Sequence, residues 1–285
     1  MMSATNHHAP IRRILLALDT ATHNIAAFEA ATGLAARLDA ELHALFVEDI
    51  NLLRLAALPF ARETRLTSAT TRRLQNQDIE RALRAEATRA QATLATVATR
   101  LNVRWSFQVT RGQVAARICE EALETDLVAL TVTGSVPTEL THIAATIETV
   151  MRGAACPLLM LQPGVGIRPP FVIVYDGSPA SARALRLAGQ LAQGEAEAAR
   201  VTVLLVSIEP PVLRRLRAEA DALLAGTKLT AEFPALARTD AAAIARAVQA
   251  ASAGTLLMAA DSLVFNGEAR RRLLAELECA ALLTR

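Results

Sequence analysis

Hydroxyl-bearing residues and a glycine gather in one short stretch of the chain, TVTGS at residues 131–135. Glycine lets backbone N–H groups approach a phosphate closely, and the N-terminus of a following helix attracts anions. Two interpretations stay open, because these hydroxyl groups can hydrate a bound anion or can belong to an ordinary solvated loop. A carboxylate, Asp19, ends an earlier apolar run and precedes a polar turn. It also allows two interpretations, a contact to a ligand or a turn residue that fixes a strand-to-helix corner.

Composition narrows the classes of protein to which this chain can belong. Of its 285 residues, 52% are apolar and only 3% are aromatic, which is enough to bury a sizeable core and too apolar for a disordered chain. Lys and Arg number 30 against 28 Asp and Glu, and the net charge is +2. Such a balance produces no strong overall field, so we expect neither a nucleic-acid partner nor attraction to anionic lipid.

The sequence lacks the patterns of a metal site, a disulfide framework or a membrane span. Its three cysteines, Cys119, Cys156 and Cys279, are scattered and form no CxxC pair, so we expect no metal and no disulfide. Residues 1–10 are polar and lack the apolar core of a signal peptide, and no run of about 18 uncharged apolar residues occurs. We therefore expect a cytoplasmic protein without a membrane span.

The chain repeats its order of elements. The apolar run and acid at 14–19 have a counterpart at 172–176, where Gly177 makes the turn and Ser178 is a candidate N-cap. Further matches in the same order set 42–47 against 201–206, 127–130 against 255–258, and Cys156 against Cys279. A stretch rich in proline and glycine separates the two halves. The prediction is a first domain at residues 11–162, a linker at 163–170, and a shortened second domain at 171–285.

Each half alternates apolar runs with helical patterns. Residues 79–101 place apolar side chains three and four apart, which predicts a helix, and residues 103–109 alternate apolar and polar side chains, which predicts a half-exposed edge strand. The terminal strands are also expected at sheet edges. Runs typical of parallel strands buried on both faces lie at 14–18, 42–47, 127–132 and 157–161. The alternation predicts an α/β fold with two tandem, doubly wound, open parallel sheets.

These residues together resemble the universal stress protein family. The resemblance lies in the first strand with its terminal Asp, the second strand at 41–48, Arg111-Gly112 before a helix, and Ala155-Cys156-Pro157 before a terminal strand. It covers both halves and implies a tandem, UspA-like member with adenine nucleotide α-hydrolase-like or flavodoxin-like layering. Because single-domain members resemble dimers joined through edge strands, it also implies a pseudo-dimer within one chain. Homodimerisation of the whole chain stays open.

Nucleotide-binding members of this family carry Gly-x-x-Gly, a spacer of nine residues, and then Gly-Ser or Gly-Thr. The matching positions keep this spacing, but they are occupied by Thr131, Gly134, Ala144 and Ala145. Three of the four residue types are lost, and each missing hydrogen bond to a charged acceptor is worth about 1.5–3 kcal/mol. In the second half the loop is shorter and carries Asp261 and Glu268, whose charge repels a polyphosphate. The sequence thus predicts no ATP in the second half and an eroded site in the first.

The candidate nucleotide crevice lies outside the carboxyl ends of the strands, where the strand order reverses. Its residues in the first half are Asp19, Thr20, Val47, Thr131, Thr133, Gly134, Ser135, Ala144 and Ala145. Asp176 and Gly177 are weaker candidates in the second half. We assign no catalytic or metal-binding residue, because the sequence contains no nucleophile motif, catalytic triad order or metal motif.

The function that these patterns favour is that of a non-enzymatic stress-response protein. It would work through protein partners, which the sequence does not identify, or through weak sensing of small ligands, without a tightly bound cofactor. The alternative is an ATP- or AMP-binding sensor that uses the first domain, with slow ATP hydrolysis. The insertion at 49–68, which the second half lacks, carries leucines in a predicted loop. These leucines either contact a partner or pack over their own domain.

Overall fold

The computed structural model describes most of the chain. The described residues are 11–18, 25–58, 62–64, 71–73, 76–131, 137–162, 164–193, 197–236, 240–260, 273 and 276–285. At 62–64, 71–73 and 137–144 the description covers the backbone.

The first half forms strands from its apolar runs and helices between them. In chain order its elements are β1 (Arg13–Leu18), α1 (Ile25–Leu38), β2 (Glu41–Asp49), α2 (Ile50–Ala56), β3 (Arg62–Thr64), β4 (Thr71–Arg73), α3 (Asn76–Arg100), β5 (Trp105–Gly112), α4 (Val114–Glu121), a 3-10 turn (Ala122–Glu124), β6 (Leu127–Thr131), α5 (Pro137–Gly153) and β7 (Leu158–Leu161). The strands β1, β6 and β7 are buried along almost their whole length. Burial on both faces explains why these strands consist of uninterrupted apolar residues.

The second half repeats this order with shorter connections. Its elements are β8 (Phe171–Tyr175), α6 (Pro179–Gln193), β9 (Ala199–Leu205), α7 (Pro210–Leu224), β10 (Leu229–Glu232), α8 (Ala241–Ala250), β11 (Thr255–Ala259) and β12 (Ala280–Thr284). A short connection leads from β9 into α7, so the second half has no counterpart of α2, β3 and β4 there.

Ten of the described strands form one continuous sheet in the order β10-β9-β8-β11-β12-β7-β6-β1-β2-β5. Neighbouring strands within each half run parallel. The two halves meet where β12 pairs with β7 in the antiparallel direction, with Leu282 opposite Leu159. The last strand of each half, β7 or β12, is thus the edge strand of that half, and it is paired with the edge strand of the other half. This topology confirms the predicted α/β fold class, with two tandem doubly wound sheets and a pseudo-dimer in one chain.

Two layers of helices cover the sheet. One layer contains α1, α3, α6 and α7, which bury side chains such as Phe28, Leu94 and Leu216. The other contains α4, α5 and α8, which bury side chains such as Ile118 and Ile244. Successive side chains of a strand pack against opposite helical layers, because side chains alternate between the two faces of a sheet. None of the described helices is long and apolar enough to cross a membrane.

The outer edges of the sheet are β5 and β10. The edge position of β5 confirms the prediction from the alternating residues 103–109, and α3 confirms the helix predicted at 79–101. The strand β10 was not predicted from the sequence. Its four residues, Leu229–Glu232, alternate between half-buried and exposed and therefore contain no apolar run that would indicate a buried strand.

The insertion after β2 begins with a helix, where the sequence predicted a loop. The carboxylate of Asp49 accepts a hydrogen bond of 2.9 Å from the backbone N–H of Asn51 and caps α2. One side of α2 contacts α3, whereas Leu55 and Leu58 are 51% and 38% exposed. The prediction was wrong because Arg54 interrupts the leucines and a helix of about two turns gives too little periodicity to recognise.

Candidate functional site

The strand order reverses beside β1 in the first half. β1 pairs with β2 on one side and with β6 on the other, so chain connections leave it in both directions. Doubly wound sheets bind ligands outside the carboxyl ends of strands at such a point. Leu18 lies opposite Phe46, and Thr131 follows the residue that pairs with Ala17. The register therefore brings Thr131 level with Phe46, the residue before Val47, on either side of Leu18 at the end of β1.

Some of the candidate crevice residues can be placed in this geometry. The side chain of Val47 is buried, and Thr131 is half-buried at the end of β6. Ala145 is exposed on α5, and the backbone of Ala144 belongs to the same helix. The remaining candidates of the first half, Asp19, Thr20, Thr133, Gly134 and Ser135, lie outside the described residues.

Residues 144 and 145 are inside α5 and not at its first turn. The helix begins at Pro137, so these two residues lie about two turns further along it. In an α-helix only the first four N–H groups lack a partner within the helix. The N–H groups of Ala144 and Ala145 are therefore bonded within the helix and do not face an anion, in contrast to a Gly-Ser pair that opens a helix.

The two carboxylates at the end of β2, those of Glu48 and Asp49, both bind other groups of the protein. The Glu48 side chain is buried, and its Oε2 accepts a hydrogen bond of 2.9 Å from Arg111 Nε and forms an ion pair of 2.9 Å with Arg111 Nη2. A further contact of 3.4 Å joins Arg111 Nη1 to Glu80 Oε1. The hydrogen bond and charge of Glu48 raise the pKa of Arg111. A carboxylate at this position can accept hydrogen bonds from a ribose, but here Glu48 binds Arg111 and Asp49 caps α2.

Sequence reasoning missed the pair of Glu48 and Arg111, although Arg111-Gly112 was one of the motifs that it identified. The two residues face each other because Glu48 lies opposite Arg111 in the parallel pairing of β2 with β5. This register depends on how two strands align across a long connection, which a single sequence does not indicate. The sequence signal that could have indicated this pair was an acid at the end of one predicted strand and an arginine at the end of another.

In the second half the strand order reverses between β8 and β11. Asp176 follows β8, and its Oδ1 accepts a hydrogen bond of 2.9 Å from the backbone N–H of Ser178. The hydroxyl of Ser178 accepts one of 3.1 Å from the N–H of Ser181, and it is therefore the N-cap of α6, as predicted. Burial favours the neutral form of Asp176, but the hydrogen bonds from Ser178 and Ser181 outweigh it and lower the pKa of the carboxyl. The Asp176 carboxylate thus fixes the strand-to-helix corner, which is one of the two interpretations given for its counterpart Asp19.

The space beside this turn is filled by side chains of α7. Gly177 has a φ of +80°, and a Cβ added there would lie 2.8 Å from Leu216 Cδ2. The hydroxyl of Tyr175 lies 3.3 Å from Glu219 Oε2 and donates to it. Burial and the Glu219 carboxylate raise the pKa of Tyr175 to about 12. Glycine is therefore required at 177 both by the backbone conformation and by the close approach of a helix.

At the carboxyl ends of β11 and β12, polar groups form hydrogen bonds with other groups of the protein. The Thr284 hydroxyl donates to the carbonyl of Ala180 at 2.7 Å, with the Met258 carbonyl at 3.3 Å. The N–H of Ala260 donates to the Thr284 carbonyl at 2.7 Å. Ala259, the last residue of β11, is buried. In the described part of this half, the groups that would face a ligand contact the protein itself.

Ligands for a metal do not cluster in the described parts of the chain, where no group of three or more His, Cys, Asp or Glu side chains could hold an ion. The three cysteines are free thiols, and Cys279 is buried. Burial raises the pKa of each thiol, which keeps the less nucleophilic, protonated form.

Two halves of this topology, in each of which the strand order reverses beside the first strand, define the class of tandem doubly wound α/β proteins. The chain matches the model of the universal stress protein family over residues 10–162, and it belongs to that family. No curated protein sequence matches the chain significantly.

Solved structures share the complete tandem architecture. A universal stress protein from Archaeoglobus fulgidus DSM 4304 has a TM-score of 0.67 at 13% identity, and the match covers 95% of each chain. A putative universal stress protein from Pseudomonas aeruginosa UCBPP-PA14 has a TM-score of 0.58 at 17% identity, covering 96% of this chain and 92% of that one. At such identities the likeness concerns the fold, which extends over both halves.

Proposed function

We propose that this chain is a non-enzymatic, cytoplasmic stress-response protein that works through protein partners or weak sensing of small ligands, without tightly bound ATP. The observation that carries the proposal is the position of Ala144 and Ala145 inside α5, beyond its first turn. There the backbone N–H groups are bonded within the helix, and the hydroxyl of a Gly-Ser pair is missing.

The second half supports the same proposal. Its turn after β8 is occupied by contacts among Asp176, Ser178 and Ser181, and Leu216 approaches Gly177 closely. A polyphosphate would have to displace these contacts without gaining the glycine-lined loop that makes its binding favourable. We also propose domains at 11–162 and 171–285, joined by the linker at 163–170.

A second candidate function is an ATP- or AMP-binding sensor that uses the first half, with slow hydrolysis. The observation that favours it is Thr131, whose half-buried side chain lies at the end of β6, where the strand order reverses. A hydroxyl at this place can donate to a phosphate oxygen. This candidate differs from the first in requiring nucleotide affinity in the micromolar range.

Nucleotide binding to the full-length chain separates the two candidates. We expect mass spectrometry of the natively purified protein to find no stoichiometric ATP or AMP, and calorimetry with either nucleotide to show no micromolar binding. Losing two hydrogen bonds of about 1.5–3 kcal/mol each weakens binding by roughly a hundredfold or more. Stoichiometric copurification, or micromolar affinity, would establish the sensor instead.

A restored motif tests whether the loop is an eroded nucleotide site. The variant Thr131→Gly/Ala144→Gly/Ala145→Ser should gain ATP affinity only if the crevice is otherwise intact and the N–H groups at 144 and 145, which are bonded within α5, become free to face a phosphate. Because Ala144→Gly also costs a helix about 1 kcal/mol, the matched control is Ala92→Gly on the exposed side of α3. No gain, with stability equal to that of the control, would indicate a crevice for ligands without a polyphosphate.

A further inference from the structure

The edge strand β5 is long and open on one side. Among the described strands it pairs with β2 alone, and this pairing runs without a bulge from Trp105 to Gly112. An edge strand pairs with a further strand unless a short length, proline, lysine or a bulge prevents it. β5 has eight residues and contains neither proline nor lysine. The other outer edge, β10, has four residues and carries the exposed Glu232, so β10 is the better protected edge.

The backbone of β5 presents the polar groups of alternate residues to this open side. The N–H of Leu42 on β2 donates to the carbonyl of Arg104 at 2.9 Å, so the backbone of residue 104 faces β2. Successive residues of a strand direct their backbone groups to opposite sides. The residues whose N–H and C=O groups face away from β2 are therefore Trp105, Phe107, Val109 and Arg111. The outermost of these carbonyls, that of Arg111, also accepts from Arg117 Nε at 3.2 Å.

The side chains of these four residues share one face of β5. Trp105 and Phe107 are half-buried and pack against the core below α3, whereas Val109 is 48% exposed. The side chain of Arg111 is 45% exposed beside its two glutamate partners. An apolar row that ends in a cation thus follows the open edge.

The opposite face of β5 is polar. The Ser106 Oγ lies 2.9 Å from His43 Nδ1, and the Gln108 amide donates to Glu121 Oε1 at 3.0 Å. A strand that pairs with this edge must therefore match apolar groups on one face and polar groups on the other.

We propose that the partner of this edge is a second copy of the chain, whose β5 pairs antiparallel with the first across a two-fold axis at Gln108. In this register Phe107 lies opposite Val109 of the second copy, and Trp105 lies opposite Arg111 of the second copy. Both pairs consist of residues whose backbone groups face the open side, so they form the hydrogen-bonded pairs of the new ladder.

The strand is complementary to itself in this register. An aromatic side chain opposite a β-branched one stabilises neighbouring strands, as Phe107 and Val109 would. The guanidinium of Arg111 meets the ring of Trp105, whose face attracts a cation. The other arginine of the paired stretch, Arg104, lies opposite the uncharged Gly112, so no like charges oppose each other. On the polar face Ser106 lies opposite Thr110, and Gln108 lies opposite its own copy.

The molecule uses the same kind of pairing internally. Its two halves are joined where β7 and β12, each an edge of its own half, pair in the antiparallel direction. Pairing through β5 would join two ten-stranded sheets in the same manner. This assembly goes beyond the proposed function and does not depend on whether a nucleotide binds.

Sedimentation velocity of the full-length chain tests the assembly, for which we expect a dimer at micromolar concentration. Val109→Pro removes an N–H that faces the open side and leaves the ladder to β2 intact. Two hydrogen bonds are lost, one from each copy, so the dissociation constant should rise about tenfold or more. Trp105 fluorescence reports whether β5 itself remains folded in this variant.

The matched control is Ala231→Pro on the other outer edge. The carbonyl of Lys228 accepts from the Ala199 N–H of β9, so the N–H of Ala231 faces away from β9. This substitution should leave the dimer unchanged. A dimer that withstands Val109→Pro, or that Ala231→Pro dissociates, overturns the proposal. A monomeric chain also overturns it and leaves the edge to an extended segment of a different protein.

Disulfide trapping tests the register in a strand that keeps its backbone N–H groups. Opposite residues of a non-hydrogen-bonded antiparallel pair have Cα atoms about 4.5 Å apart, which a disulfide can bridge. With Cys119, Cys156 and Cys279 replaced by Ala, Gln108→Cys should give a covalent dimer with oxidised glutathione, which is reduced to two thiols. Val109→Cys should not, because its two copies are about 7 Å apart along the strands as well as one strand spacing across. No covalent dimer through Gln108→Cys, or equal yields from both variants, contradicts the proposed pairing.

Discussion

The carboxylate of Asp176 stabilises the turn in which it lies. Its Oδ1 accepts the Ser178 N–H at 2.9 Å, and Ser178 in turn caps α6 through Ser181. One polar side chain thus determines how the chain leaves β8 and enters a helix. The equivalent acid of the first half, Asp19, lies outside the described residues, and its role stays a prediction.

Asp176→Ala should lower the free energy of unfolding by about 1 kcal/mol at neutral pH, because the Ser178 N–H loses its acceptor. The pKa of Asp176 lies below its ordinary value of 3.8, so the carboxylate stabilises the fold above that pH. This contribution disappears as the pH falls through the lower, folded-state pKa. Urea unfolding at neutral pH and in acid would measure both effects.

Asp221→Ala is the matched control for this change. Asp221 lies on α7 with a mostly exposed side chain and a contact of 3.9 Å to Arg217, so its loss should cost less than about 0.5 kcal/mol. Equal effects of the two substitutions at neutral pH would mean that the turn contact contributes no stability.

At the scale of elements, the buried strands were predictable and the pairing between them was not. Largely apolar runs identified β1, β2, β6 and β7, because a strand covered on both faces consists mostly of apolar side chains. Short or interrupted elements, β10 and α2, gave no such pattern. The contacts of His43 with Ser106 and of Glu48 with Arg111 depend on the alignment of β2 with β5. That alignment is a result of the whole fold, so the sequence could identify these residues only one at a time.

The two interpretations of the α2 segment make opposite predictions for its exposed leucines. Leu55→Ser/Leu58→Ser should change the free energy of unfolding by less than about 0.5 kcal/mol per residue if this side of the helix is unused by the fold. For comparison, Leu94→Ala removes a fully buried side chain of α3 and should cost about 3 kcal/mol. Thermal and urea unfolding of these variants would measure the difference. A loss for the double variant close to that of Leu94→Ala would show that the insertion packs over its own domain.

At the scale of the whole molecule, one arginine connects the two halves on a helical layer. Arg37, in the last turn of α1, donates through Nη1 to the carbonyl of Ile167 at 2.9 Å and through Nη2 to the carbonyl of Leu191. The first carbonyl belongs to the segment before β8, and the second belongs to the end of α6. A guanidinium is well suited to this position, because it donates in two directions and favours the C-terminus of a helix.

Arg37→Ala should lower the free energy of unfolding by roughly 1–3 kcal/mol, because two partly buried carbonyls lose a charged donor. Arg37→Lys should recover only part of this loss, since an ammonium lacks the planar fork. The chain has one Trp and one Tyr, so Trp105 fluorescence reports on the first half and Tyr175 absorbance on the second. Both transitions should shift together.

Arg152→Ala serves as the control for removing an arginine. Its side chain is 75% exposed, and its loss should change stability by less than about 0.5 kcal/mol. A shift of the Tyr175 transition alone in Arg37→Ala would contradict the role of Arg37 as a connection between the halves.

The antiparallel pairing of β7 with β12 has a consequence for how this molecule can evolve. In a dimer of identical subunits every mutation is present twice, so both copies of a site change together. Here the two halves are encoded separately, and a mutation that alters one crevice leaves the other untouched. Natural selection can therefore preserve the strands that join the halves while the regions at the carboxyl ends of the strands, which point in opposite directions in the two halves, diverge independently of each other.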